Sequence, residues 1–89
     1  MNASDLWQAL RTELPEQVSR VAHQCEPING SARDLLELLD DRYSSAWIAD
    51  EKCGYYGNPY EQLSQDFFKL VAAARSISGQ KGRPRWERQ

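Results

Sequence analysis

Apolar residues recur along this chain at intervals of three and four, the spacing of helices with one buried face. In the first stretch, SDLWQALRTELPEQVSRVAHQC, the series is Leu6, Trp7, Leu10, Leu14, Val18, Val21 and Cys25. Ser4 suits an N-cap, and Asp5 a first-turn position where a negative charge meets the positive end of the helix dipole. Pro15 interrupts the series, because proline lacks an N–H and biases Leu14 away from helical geometry. The stripe nevertheless continues past it. A kinked helix, or two short helices sharing one face, is predicted across residues 4–25.

EPINGS (26–31) reads as a loop, with Pro27 as a stop and Asn29-Gly30 as a turn. Ser31 then caps a second major helix over residues 32–49, with Asp34 three residues on in a capping-box position. Leu35, Leu38, Leu39, Tyr43, Ala46 and Trp47 form its apolar stripe, and Glu37, Asp40, Asp41 and Arg42 its polar face. KCGYYGNP (52–59) reads as the next loop. Asn58 caps a further helix, with Pro59 at its first position and Glu61 at its third. Tyr60, Leu63, Phe67, Leu70, Val71, Ala74 and Ile77 repeat to about residue 77, and Gly79 is the expected stop.

No alternating strand pattern competes with these helices, and nothing repeats internally. The fold class is all-α: a small bundle of three to four helices with a flexible basic C-terminal tail. Residues 1–78 are expected to form one helical domain and residues 79–89 the tail. The predicted core is Leu6, Leu10, Leu14, Val18, Val21, Leu35, Leu38, Leu39, Trp47, Leu63, Phe67, Leu70 and Val71.

Size and charge sharpen this picture. With 89 residues, one small core is all the chain can build, and self-association into a homodimer would complete a thin one. The net charge of −2 conceals a split. Residues 1–74 carry six Lys/Arg against twelve Asp/Glu, and residues 75–89 carry five Lys/Arg against one Glu. An acidic body with a basic end is an asymmetry of the kind that marks nucleic-acid or partner contacts. No apolar run is long enough for a membrane span, and the first residues lack a secretory pattern. A cytoplasmic location is expected, in which Cys25 and Cys53 would stay thiols.

The residues for catalysis are sparse. His23 and Cys25, two apart, fall on different helix faces. No CxxC or HxxxH pair is present, so neither a metal nor a cofactor is expected. The carboxylate pairs Asp40-Asp41 and Asp50-Glu51 read as a solvated helix face rather than a cleft with shifted protonation. The chain is therefore expected to be a non-enzyme.

Three constellations have the chemistry of binding. Asp34, Glu37, Asp40, Asp41, Asp50 and Glu51 make an acidic surface suited to steering a basic partner. Tyr55 and Tyr56 stand in a loop between glycines, where stiff amphipathic rings serve as contact residues. Tyr60, in phase with Leu63 and Phe67, is expected to fold over the core edge instead. The third is the tail. KGRPR (81–85) resembles the core of an AT-hook, a minor-groove reader. That resemblance implies Arg83 in an A·T-rich groove and Lys81, Arg85 and Arg88 on phosphates. Trp86 has no place in such a contact; an isolated tail tryptophan is more naturally an anchor, on the protein's own helices or on a partner.

Tyr55-Tyr56, the helix opening at Pro59, and Arg75, Gly79, Lys81 and Gly82 together resemble the colicin and pyocin nuclease immunity proteins. The likeness covers about a third of the chain; WIADEKCG before the tyrosines and Arg83 after them depart from that family's pattern. It implies a small inhibitor that occludes a larger protein, of the sort carried by phages and mobile elements. The alternatives are a DNA-binding accessory factor working through the tail and a self-associating structural protein.

Overall fold

The computed structural model describes residues 1–24 and 29–79, and these form an all-α bundle of four helices without strands. Helix α1 spans Ala3–Glu13 and α2 Pro15–Val21, followed by a 3-10 turn at Ala22–Gln24. Helix α3 spans Ala32–Cys53 and α4 Pro59–Ser78. Cys25 and the tail residues 80–89 lie outside the described residues.

Pro15 divides the first helical stretch into two. Leu14 takes φ −130° and ψ 62°, outside helical geometry, and serves as both the end of α1 and the N-cap of α2. Its N–H still bonds the Leu10 carbonyl at 2.7 Å, and its carbonyl accepts from Val18 N–H at 3.0 Å. The two segments thus remain in phase, which is why one apolar stripe runs through both. The cap of α1 is Asn2 rather than Ser4: Asn2 Oδ1 accepts from Asp5 N–H at 2.8 Å. Asn2 wins because Ala3 N–H and Ala32 N–H bond the Gly30 and Met1 carbonyls. These bonds pin the start of the chain against the start of α3.

Ser31 and Asp34 form the expected capping box on α3. The helix runs four residues beyond the predicted end, through Cys53, and stops at Gly54, whose φ of +69° suits a residue without a side chain. The loop to α4 is therefore only residues 54–58. So short a connection makes α3 and α4 antiparallel neighbours, and they form the most extensive packing in the molecule.

The core gathers Leu6, Trp7, Leu10, Val18, Val21, Leu35, Leu36, Leu39, Phe67, Leu70 and Val71, with Ala3, Ala32, Ala46 and Ala74 at close approaches. Leu14, Leu38 and Leu63 pack against this core half-buried. Two expectations fail on α3. Leu36, not Leu38, is buried, and Trp47 is 50% exposed. The reason is angular. The buried positions 32, 35, 36, 39 and 46 form one face; Leu38 lies about 60° outside its Leu35 edge, and Trp47, about 20° outside its Leu36 edge, stands on the rim. Tyr60 is also exposed, although in phase with Phe67, because it sits in the first turn of α4, past the edge of the packed layer.

A half-buried ion pair joins α2 to α4. Arg20 Nε and Nη2 donate to the two Asp66 carboxylate oxygens at 2.8 and 2.9 Å, and Gln62 Nε2 donates to Asp66 Oδ1 at 3.0 Å. Asp66 is 1% exposed. The hydrogen bonds to Asp66, above all, raise the Arg20 guanidinium above its already high ordinary value. Periodicity gives no sign of this contact, which links residues 46 apart in sequence.

Candidate functional site

Exposed large apolar side chains are distributed unevenly. Among the described residues they are Met1, Trp47, Ile48, Tyr55, Tyr56, Tyr60 and Phe68. All but Met1 stand on α3, on α4 or in the loop between them. Two neighbouring regions result.

The first is the loop end. Asn58, 3% exposed, organises it with four hydrogen bonds. Its Oδ1 accepts from Tyr60 N–H and Glu61 N–H at 2.8 and 3.1 Å, capping α4. Its Nδ2 donates to the Tyr55 carbonyl and to Asp50 Oδ1, both at 2.7 Å. One asparagine therefore fixes the last turn of α3, the tyrosine loop and the first turn of α4. Glu61 Oε1 also accepts from Gly57 N–H at 3.2 Å. Around this frame Asp50, Glu51, Gly54, Tyr55, Tyr56 and Glu61 line an open depression of about 290 Å³. Tyr56 is 96% exposed and Tyr55 59%. The rings stand out from a hydrogen-bonded support rather than folding onto the core.

The second region is the groove between α3 and α4. Tyr43 and Phe68 pair across it, ring centroids 5.7 Å apart and planes tilted by 50°. Tyr43, Trp47, Ser64, Gln65, Phe68 and Lys69 line a depression of about 350 Å³. A second depression of about 340 Å³ borders it on the α3 side, against Tyr43, Ser44, Trp47 and Ile48. The sequence reading missed this groove. The available signal was surplus: Ile48 and Phe68 are large apolar residues that lie outside the apolar stripes predicted for their helices.

The acidic residues separate by role. Asp34 Oδ2 accepts from Ser31 N–H at 3.0 Å as half of the capping box. Asp50 is held by Asn58. Glu37 lies 3.7 Å from Arg33 in an exposed i,i+4 pair. Asp41 and Glu51 are exposed and Asp40 is half-buried; Asp40 and Asp41 each hold contacts of their own. By helical spacing, Glu37, Asp41, Ser44, Ile48 and Glu51 succeed one another along one flank, with Asp40 beside them. The acidic strip thus borders the groove and leads to the loop depression. The structure brings together Asp50, Glu51, Tyr55 and Tyr56, and it assigns Asp34 and Asp50 local structural bonds. Lys81, Arg83, Arg85, Trp86 and Arg88 fall outside the described residues.

Among the described residues no helix is long and apolar enough to cross a membrane, although α3 and α4 have 22 and 20 residues. Comparison with protein-family models, with curated proteins and with solved structures found no match. The likeness to nuclease immunity proteins rests on the quoted residues alone.

Proposed function

We propose that this chain is a non-catalytic protein-binding module of the cytoplasm that occludes a larger, basic partner. Its contact surface is the acidic flank of α3 together with the Tyr55–Tyr56 loop. The observation that carries the reading is the placement of Tyr55 and Tyr56, largely exposed, on a loop locked by Asn58 and rimmed by Asp50, Glu51 and Glu61. Large rings on a rigid support lose little conformational freedom on binding, which favours affinity. Carboxylates around them speed encounter with a basic surface. Inhibition by steric cover is the mechanism such a surface serves, and it needs no catalytic group.

The test is affinity capture from the native host, comparing wild type with Tyr55→Ala/Tyr56→Ala and with Glu51→Lys. A specific partner should be retained by wild type and lost or weakened by both variants. The tyrosine variant should act mainly through faster dissociation, and the charge variant through slower, salt-sensitive association. Equal capture by all three would overturn the proposed surface.

A further inference from the structure

We propose that the groove between α3 and α4 is the docking site of the chain's own C-terminal segment, with Trp86 as the anchor. Residues 80–89 enter here through their sequence and their tether alone. The groove is lined by the half-buried Tyr43 and by the exposed rings of Trp47 and Phe68, an apolar, aromatic lining that a further ring suits. The tether starts at the right place. Residues 43 and 68 face one another, as do 47 and 64, so α4 ends at Gly79 beside the start of α3. From Gly79 back to the level of Phe68 is eleven helical residues, about 16 Å at the helical rise. From Gly79 forward to Trp86 is seven residues, which reach about 23 Å when extended. Trp86 can therefore meet the groove with slack to spare, whereas the loop end near Tyr55 lies beyond it.

Charge favours the same path. A chain returning along the groove passes Glu37, Asp40 and Asp41 on α3, and it brings Lys81, Arg83 and Arg85 past them. Lys69, on the α4 rim of the groove, offers the opposite sign to Glu87. A second copy is a poorer occupant, since it would set one acidic flank against another. The tether also raises the effective concentration of Trp86 to about millimolar, so a contact too weak between separate molecules is occupied within one. The inference does not depend on the partner reading, because its test needs no partner.

The test is amide and indole NMR on the full chain, wild type against Trp86→Ala, at several protein concentrations and at low and high salt. In Trp86→Ala the Trp47 indole signal and the amide signals around Tyr43 and Phe68 should shift, while the Trp7 indole signal stays in place. Asp40→Asn/Asp41→Asn should move the same signals partway toward their Trp86→Ala positions, as should high salt. Shifts confined to residues neighbouring position 86 would overturn the proposal. So would groove shifts that grow with protein concentration, which would make the occupant a second copy.

Discussion

Asp66→Ala removes the acceptor of three hydrogen bonds from a site that is 1% exposed. Hydrogen bonds to a charged group contribute about 1.5–3 kcal/mol each, but the three share one carboxylate and do not add. The freed Arg20 recovers hydration, since its side chain is already 43% exposed. A net loss of about 2–4 kcal/mol for the buried carboxylate follows. A chain of 89 residues has about 4–13 kcal/mol of stability in total, so the loss is a large share. In urea unfolding followed by circular dichroism, a slope of about 2 kcal/mol/M converts it to a midpoint lower by about 1–2 M. Arg20→Met should be the more damaging change, because Asp66 has no route to water and would be left with Gln62 alone. The pH dependence has a definite sign. Arg20 is raised above its ordinary value, so the stability that its own charge contributes is present below that value and is lost only as pH rises through the raised one. The gap between wild type and Asp66→Ala should therefore be the same at pH 7 and pH 10. A midpoint shift under about 0.3 M, or an Asp66→Ala variant less stable than Arg20→Met, would refute the reasoning.

The remaining predictions concern the core boundary and the loop. Leu39→Ala, at a fully buried position, should cost about 3–5 kcal/mol, whereas Trp47→Ala should cost under about 1.5, because half of its ring is already in water; thermal denaturation of the two separates them. Gly54→Ala should cost about 1 kcal/mol from its φ of +69°, not from crowding, since the nearest atom to an added Cβ is 3.9 Å away; urea unfolding measures it. Asn58→Ala removes an N-cap and both ties to the loop, and should cost about 1–2 kcal/mol while speeding amide exchange from residue 54 to residue 61.

Helix positions were legible in the sequence because local chemistry fixes them. Ser31 with Asp34, Asn58 with Pro59, and Gly79 each act within one turn of their own backbone, and each stands where the pattern placed it. Pro15 gave both candidate outcomes, and the in-phase pair of helices was among them. What escaped depends on tertiary geometry. Asn2 displaces Ser4 as a cap because the first residues bond across to Gly30 and Ala32, which no local rule anticipates. Trp47 looked like core because it continues the three and four spacing of Leu39 and Tyr43, and hydrophobicity alone does not say where the buried face ends. The Arg20–Asp66 pair was invisible for a similar reason, since two charged residues on different helices carry no mark of their pairing. The loop tyrosines were legible as candidates, but their support by Asn58 came only from the fold.

The central claim is that the Tyr55–Tyr56 loop and its acidic border bind another protein. The most direct measurement is a titration of the captured partner against wild type, Tyr55→Ala/Tyr56→Ala and Glu51→Lys, each first shown to unfold at the wild-type midpoint. The account predicts affinity at least tenfold weaker for the tyrosine variant, through dissociation. For Glu51→Lys it predicts slower association, with the difference fading as salt rises. Unchanged affinity in both variants would contradict it.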